Sequence, residues 1–244
     1  MSTRLAARAD RERQIVAATR VLFDEQGVQE AAIDGVARAV GINKALIYRH
    51  VASKEELFIL VLISYLAELG EGYPQDRSDP AAALRESIDS YTAFCLEYPA
   101  FLDCALSLMR RPARELAERV SEGTWFRLGR AMAECLAPLA DMVRAVGVED
   151  ADYIANRIYV QVLGTMHLAR VRAGVRAAGP AVPEVFRIDP ERLRRDCVED
   201  ALALALDGRG RSSRKVDTAG GGHHPRERSS RKVDTAGGGR HPAA

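Results

Sequence analysis

A chain of 244 residues with 47% hydrophobic and 28% charged residues is long enough to bury a substantial core in one or two globular domains. No apolar run approaches the about 20 residues of a membrane span, and the first residues lack the apolar core of a signal peptide. The four cysteines show no Cys-x-x-Cys spacing, which favours buried thiols in a reducing cytosol over a disulfide. These features predict a cytoplasmic protein with no membrane segment, no metal site and no cofactor.

The net charge of +1 is distributed unevenly along the chain. Residues 1–54 hold nine Lys or Arg against six Asp or Glu, residues 55–207 hold seventeen against twenty-five, and residues 208–244 hold nine against three. Neutralisation of phosphates supplies most of the sequence-independent affinity for DNA. A basic head, residues 1–54, on an acidic body, residues 55–207, would therefore direct its positive end toward DNA. Random unevenness is the alternative, which a surplus of three charges in the head does not exclude.

The first fifty residues predict three helices. Apolar residues recur at helical spacing in residues 13–26 and again in residues 33–40. Gly41 is suited to end the second helix, and the side-chain oxygen of Asn43 is suited to cap a third. Two short helices joined by about four residues form a helix-turn-helix, so residues 41–51 predict a DNA recognition helix.

Behind the head, cap and proline signals predict further helices. Ser53 with Glu56 three residues later forms a capping box that opens a fourth helix, which runs to about residue 69. Asp79-Pro80 opens a fifth helix to about residue 98, and Pro99 opens a shorter one through residue 109.

The second half of the chain predicts three more helical segments and a tail. An amphipathic segment covers residues 113–146, with interruptions expected at Gly123 and Pro138, and an eighth helix covers about 150–171. Residues 174–189 predict a loop, a ninth helix follows at about 190–206, and no alternating run predicts a sheet. Residues 211–222 recur as 228–239, and their composition predicts a disordered basic tail. This tail can be a mobile arm that attracts DNA or a tolerated extension.

The head resembles the N-terminal domain of TetR/AcrR-type bacterial transcriptional regulators. The residues that carry the resemblance are Gly27, Ile33, Val36, Ala37, Gly41, Ile42, Lys44, Ile47, Tyr48, His50, Ser53, Lys54, Glu55 and Leu57. The chain departs from the family pattern at Ala45 and Val51, and also at Ala31 and Ala32, where Thr residues usually cap the second helix and touch phosphate. The resemblance implies an all-α protein of about nine helices. Its parts would be a helix-turn-helix DNA-binding domain (1–54), a helical ligand-binding and dimerisation domain (55–207) and a disordered basic tail (208–244).

In this register, six side chains are candidates for contact with double-stranded operator DNA: Lys44, Ala45, Tyr48, Arg49, His50 and Lys54. Lys44 and Arg49 would reach guanine acceptors or phosphate, and Ala45 would touch a thymine methyl group. Tyr48 and His50 would donate to phosphates, and Lys54 would join backbone amides in gripping one phosphate. Tyr48 can instead be a core residue, Arg49 a solvated charge and His50 a cation at a helix C-terminus.

One short helix reads only a few bases, so the head implies a dimer. The last two helices, at about 150–172 and 190–206, are the candidate surface, because apolar residues lie on two stripes of the eighth helix. One stripe holds Ile154, Ile158, Val162 and Thr165, and the other holds Tyr159, Leu163 and Met166. A four-helix bundle from two chains is the family's usual dimer. A bundle formed within one chain is the alternative.

The rear domain is the candidate site for a hydrophobic small-molecule effector. The tentative ligand-binding residues are Tyr65, Phe94, Tyr98, Phe101, Trp125, Phe126, Asn156, Tyr159, Met166 and His167. For any one of these, a role in a filled core is the simpler interpretation. The resemblance implies a sequence-specific transcriptional regulator, expected to be a repressor that an effector releases from its operator. The alternative is a small-molecule-binding module without sequence-specific DNA binding, and no residue spacing supports an enzyme.

Overall fold

A computed structural model describes residues 2–179 and 182–207, and the tail predicted to be disordered lies outside these residues. The described part contains ten helices and one two-stranded sheet. In chain order these are α1 (Ser2–Gln26), α2 (Ile33–Val40), α3 (Lys44–Ile47), α4 (Lys54–Glu71), α5 (Pro80–Glu97), α6 (Pro99–Met109), α7 (Ala113–Ala117), α8 (Glu122–Ala145), α9 (Ala151–Val171), β1 (Ala173–Gly179), β2 (Val182–Arg187) and α10 (Pro190–Asp207). The all-α prediction is therefore confirmed in its main feature.

The helices of the head pack around a small apolar core. Ile15 of α1, Val36 of α2 and Ile47 of α3 are almost fully buried there, and Leu57 and Leu60 extend this core into the start of α4. Because α4 contributes to the core of the head and also packs along α8, one continuous helix connects the head to the body.

The body is a helical bundle in which α9 contacts several other helices. It packs against α8 and α10 and also contacts α5. Aromatic and aliphatic side chains fill the interior, and all four cysteines are buried free thiols. Among the described residues no single helix is long and apolar enough to cross a membrane. Only α5 and α6 taken together, across a bend of 95°, meet that requirement of length and composition.

Several predicted boundaries are corrected by the structure. The first helix begins at Ser2 instead of residue 13, because nothing in the first twelve residues breaks it. In the segment 113–146 the break falls between Ala117 and Glu122 rather than at Gly123, which lies in the first turn of α8. Pro138 lies inside α8 without ending it.

The predicted loop at 174–189 is wrong, because most of it forms the antiparallel pair β1–β2. Alternation of apolar and polar residues was too short there to indicate a strand from the sequence. The cap signals are confirmed: Asp79 accepts hydrogen bonds from the amides of Ala81 and Ala82, and Asp189 accepts one from Glu191.

Candidate nucleic-acid interface

A tightly capped turn joins α2 to α3. Gly41 adopts φ of +72°, which L side chains rarely adopt, and its amide donates to the carbonyls of Ala37 and Arg38 at the end of α2. The Asn43 side-chain oxygen then accepts a hydrogen bond of 2.8 Å from the Leu46 amide. Both caps agree with the sequence prediction, and together they fix the angle at which α3 leaves α2.

The recognition segment, residues 44–51, consists of α3 and the hydrogen-bonded turns that follow it. The His50 and Val51 amides donate to the Ile47 carbonyl at 2.8 and 3.1 Å, so helical character continues beyond Ile47. Ile47 and Val51 are buried in the core of the head. Burial of one face holds the segment firmly and leaves its opposite face in solvent.

Four of the predicted contact residues lie on the exposed face of the recognition segment: Lys44, Ala45, Tyr48 and Arg49. Tyr48 is 45% exposed, which excludes the alternative that it is a core residue. The Lys44 ammonium lies 3.2 Å from a carboxylate oxygen of Asp34 in α2, and both side chains are exposed. An exposed pair of this kind contributes little stability, so phosphate can replace the carboxylate.

His50 differs from the other predicted contacts because it is only partly exposed. Burial and the nearby cations Arg8, Arg11 and Arg49 lower its pKa, and the carboxylate of Glu12 only partly opposes them. Its Nδ1 is buried without a hydrogen-bond partner among the described residues. The lowered pKa favours the neutral imidazole in the free protein.

Lys54 lies in the first turn of α4, where the sequence predicts a phosphate contact. Its ammonium is 5.3 Å from the centre of the Phe58 ring, a cation–π arrangement. Lys54 also lines a groove of about 420 Å³ that Arg110 and Arg111 border from the body. The first turn of α4 is thus shared between the head and the body.

The departures at Ala31 and Ala32 have a structural consequence. Ala32 occupies the N-cap position of α2, and no side chain caps that end of the helix. Ala31 is buried at 2% exposure and contributes to the apolar core. Neither residue can donate a side-chain hydrogen bond to phosphate, so α2 lacks a contact that the family pattern usually supplies.

A hydrogen-bonded network at Glu56, which the sequence did not reveal, joins the head to the body. Glu56 is buried, and its carboxylate accepts from the Ala52 amide directly after the recognition segment. The same carboxylate accepts from the Ser121 hydroxyl and, at 2.7 Å, from the Thr124 hydroxyl at the start of α8. Ser53 caps α4 as predicted, but Glu56 is engaged with Ala52 and α8 instead of closing a simple capping box.

A second set of contacts runs beside the Glu56 network. The Glu55 carboxylate lies 3.2 Å from the Arg111 guanidinium and 3.0 Å from that of Arg119. Burial opposes ionisation of Glu55, but a backbone hydrogen bond and the two arginines outweigh it and lower its pKa. The Ser53 hydroxyl also donates to the Arg119 carbonyl at 2.7 Å. Ser53, Glu55 and Glu56 at the start of α4 therefore attach the exit of the recognition segment to the residues that flank α7 and to the start of α8.

Four of the ten tentative ligand residues form an aromatic cluster: Tyr65 and Phe101, which are buried, and Phe94 and Tyr98, which are partly buried. The ring centres of Phe94 and Tyr98 lie 4.7 Å apart, and those of Tyr65 and Phe101 lie 6.0 Å apart. Two further rings continue this cluster, because Tyr91 contacts Phe101 and stacks on Tyr159, a fifth tentative residue, at 5.7 Å.

Helix α1 reaches this aromatic cluster from the head. The Arg20 guanidinium lies over the Tyr65 ring at 4.1 Å and over the Tyr98 ring at 5.1 Å. The Tyr65 hydroxyl donates to Asp24 at 2.5 Å, and Arg20 pairs with Glu68 at 2.5 Å. A change in the packing of the cluster would therefore act directly on α1.

The other tentative ligand residues lie elsewhere. Phe126 is 74% exposed, and His167 and Asn156 are exposed on α9, where the Asn156 amide donates to the Asp152 carbonyl. Trp125 is half-buried, and its indole nitrogen has no partner among the described residues. Met166 is fully buried in the core of the body. Phe126, Asn156 and His167 therefore lie outside the core that contains the aromatic cluster, whereas Met166 belongs to that core.

The predicted eighth helix corresponds to α9 of the structure, and both of its predicted apolar stripes are covered by other helices of the same chain. Ile158, Val162 and Leu163 have no exposed surface, because α5, α8 and α10 pack around α9. A different ridge of α9 is left in solvent, formed by Tyr153 at 63%, Val160 at 54%, Leu168 at 41% and Val171 at 55% exposure. This exposed ridge of α9, rather than the predicted stripes, is its free apolar surface.

A capped helix-turn-helix with a basic, exposed recognition segment, carried on a helical bundle, defines the class of helix-turn-helix DNA-binding proteins. The sequence pattern of the bacterial regulatory proteins of the tetR family matches residues 15–61. Residues 15–61 thus form a DNA-binding domain of this family, whose members are DNA-binding transcriptional regulators.

Two relatives are similar to this chain in sequence, and two solved structures share its fold. The transcriptional activator FasR of Mycolicibacterium smegmatis is 30% identical over 96 residues, which span 39% of this chain and 41% of FasR. The transcriptional repressor NicS of Pseudomonas putida is 26% identical over 161 residues, 64% of this chain and 74% of NicS. BioQ bound to its double-stranded DNA operator shares the fold with a TM-score of 0.56 at 17% identity, covering 80% of this chain and 98% of BioQ. RolR in complex with resorcinol has a TM-score of 0.58 at 14% identity, and the match covers 86% of this chain and 96% of RolR.

Proposed function

We propose that this protein is a homodimeric transcriptional repressor that a hydrophobic small molecule releases from its operator. The observation that carries the proposal is the exposed face of the recognition segment, held on a buried opposite face and between two caps. A rigidly held basic surface of this size matches the major groove of DNA.

Within this proposal, the exposed residues divide into two roles. Lys44, Ala45 and Arg49 face the bases, where Arg49 can pair with a guanine through two parallel hydrogen bonds. Tyr48, His50 and Lys54 contact phosphates and position the segment without specifying sequence.

The dimer is proposed to form through the last two helices. The exposed ridge of α9 supports this, because four large apolar side chains in one line are rarely left in solvent on a monomer. Two heads about 34 to 36 Å apart would then enter successive major grooves. The NicS and FasR matches are compatible with either repression or activation, and repression is the proposed outcome.

The effector is proposed to bind at the aromatic cluster. Tyr65 and Tyr98 of this cluster contact Arg20 of α1, and Tyr65 also donates to Asp24, so a molecule that separated the two tyrosines would displace a helix of the head. By linkage, an effector that weakens operator binding must itself be bound more weakly, by the same factor, when the operator is present.

Fluorescence anisotropy with duplex DNA from upstream of the protein's own gene tests DNA binding. Lys44→Ala and Arg49→Ala are each expected to weaken specific binding by about 10- to 100-fold, the loss of one good base or phosphate contact. Arg130→Ala is the matched control, because Arg130 is an exposed arginine on α8 whose partner is Glu134. Unchanged affinity and specificity in both recognition variants would show that this segment does not read DNA.

A second candidate is a small-molecule-binding module without sequence-specific DNA binding. The uncapped N-terminus of α2, which lacks a side chain to bind phosphate, favours it. The same assay separates the candidates, since diffuse binding that ignores DNA sequence supports the module and a discrete, salt-sensitive complex supports the repressor.

The effector proposal is tested by adding aromatic and long-chain acyl compounds to the operator complex. An active compound is expected to raise the operator Kd, and Phe94→Ala is expected to change the concentration at which it acts. Met109→Ala, an exposed apolar residue at the end of α6, is the control. A response that is the same in the wild type and in Phe94→Ala would place the effector outside the aromatic cluster.

A further inference from the structure

The hairpin formed by β1 and β2 has two faces of different character. In its antiparallel register, Val175 lies opposite Val185, and Arg176 lies opposite Glu184. Residues paired across two strands point to the same side, and successive pairs alternate between sides. Val175 and Val185 therefore share one face of the hairpin, and Arg176 and Glu184 share the other.

The charged face of the hairpin is satisfied within the chain. Arg176 donates two hydrogen bonds of 2.9 Å to the Glu184 carboxylate. The Phe186 ring lies directly over Gly174, where a Cβ atom would collide with it, and the Arg176 guanidinium is 5.8 Å from that ring. This face has its own partners and needs no other.

The apolar face of the hairpin has no partner among the described residues. It consists of Ala173, Val175 and Ala177 on β1 with Pro183 and Val185 on β2, and Arg187 lies at its edge opposite Ala173. Val175 is 71% exposed and Val185 is 70% exposed, although both are large apolar side chains. A two-stranded hairpin alone is at best marginally stable in water, so an apolar face of this kind usually packs on another surface.

The position of the hairpin indicates what this face packs against. Helix α9 ends at Val171, and β1 begins two residues later, so the exposed ridge of α9 leads directly into the hairpin. The four apolar side chains of one helix ridge are few beside the about 20–30 residues that a stable interface uses on each side. The hairpin supplies additional apolar surface continuous with that ridge.

We propose that the apolar face of the hairpin docks on a second copy of this chain, as an arm that enlarges the dimer surface of α9. This inference rests on the dimer in the proposed function. In a two-fold dimer each copy contributes the same patch, so two hairpins act on every dimer. Four valines then lose contact with water when the dimer forms.

The test is a double substitution, Val175→Thr with Val185→Thr, in the full chain. Threonine keeps the β-branched shape that strands favour but places a hydroxyl in an apolar contact. Arg176→Gln with Glu184→Gln is the matched control on the charged face. Sedimentation of fluorescently labelled protein over a dilution series is expected to show at least tenfold weaker dimerisation for the threonine variant. The control is expected to remain within about twofold of the wild type, since an exposed ion pair contributes little.

The possible outcomes distinguish failure of the hairpin-arm proposal from failure of the dimer proposal. A wild type that stays monomeric at every concentration contradicts the proposed dimer. A dimeric wild type whose threonine variant associates equally well overturns the arm alone. Amide hydrogen exchange gives a second measurement: the hairpin amides are expected to gain protection over the concentration range in which dimers form. Hairpin amides that exchange equally fast in monomer and dimer would also overturn the arm.

Discussion

The Glu56 network allows the sharpest test of how the head is held on the body. Glu56→Gln removes the negative charge and keeps the shape of the side chain. The carboxylate accepts from Ala52 on one oxygen and from Ser121 and Thr124 on the other. An amide has only one oxygen, so its NH₂ group must face one of these donors. We therefore expect a buried donor to be left without an acceptor.

The expected cost follows from the contacts that are lost. Leaving one buried donor unsatisfied costs about 1–3 kcal/mol, and the remaining hydrogen bonds lose the strengthening that a charged acceptor gives. We expect Glu56→Gln to lower the free energy of unfolding by about 2 kcal/mol. Glu56→Ala, which removes both acceptors and leaves space in a packed region, should cost about 4 kcal/mol.

Urea unfolding followed by circular dichroism at pH 7 measures both values. Glu134→Gln on the exposed surface of α8 is the control, expected within about 0.5 kcal/mol of the wild type. A Glu56→Gln variant as stable as this control would refute the reasoning, because the carboxylate would then not be a required acceptor.

The pH dependence of the Glu56 effect has a definite sign. Burial opposes ionisation of Glu56, but hydrogen bonds from Ser121, Thr124 and Ala52 outweigh it, so the pKa lies below its ordinary value. A carboxyl with a depressed pKa stabilises the folded state above the unfolded pKa of about 4.3, and this stabilisation is lost as the pH falls through the folded pKa. The difference in the free energy of unfolding between the wild type and Glu56→Gln should stay constant from about pH 8 to 6 and become smaller below about pH 4.

Three further predictions concern caps and thiols. Gly41→Ala should destabilise the chain by about 1–2 kcal/mol in urea unfolding, because alanine is strained at φ of +72°; equal stability would contradict this. Ala32→Ser should supply the missing cap of α2 and stabilise by about 1 kcal/mol, whereas a neutral or negative change would show that the helix end is satisfied otherwise. Burial raises the pKa of Cys135 to about 11, and all four thiols are buried, so a thiol reagent at pH 8 should react only after unfolding. Rapid labelling of the folded chain would contradict that burial.

The sequence predicted the head well because its signals are local. Asn43, Ser53 and Asp79 each cap a helix through a hydrogen bond to an amide two or three residues away, which is a distance along the chain that composition and spacing can reveal. Gly41 ends α2 for an equally local reason, its left-handed conformation. The recognition segment follows from these caps and from the helical spacing of its buried residues.

The Glu56 network could not be predicted in the same way. Its partners Ser121 and Thr124 lie more than sixty residues away, and a capping box explains Glu56 fully when only nearby residues are considered. The aromatic cluster shows the same limit. Tyr65, Phe94, Tyr98 and Phe101 meet because α4, α5 and α6 cross, and Phe126 has the same residue type but points to solvent from α8.

For α9, the sequence alone could not predict which face of the helix remains exposed. Apolar residues surround this helix, so spacing alone indicates more than one buried stripe. The neighbouring helices α5, α8 and α10 cover both Ile158 and Leu163. The sequence had favoured the stripes that contain these residues as the dimer surface. The exposed line instead runs through Tyr153, Val160 and Leu168, at spacings of seven and eight residues, which is two helical turns each time. A dimer contact on α9 must therefore use this line, and substitutions at Ile158 would report on folding rather than association.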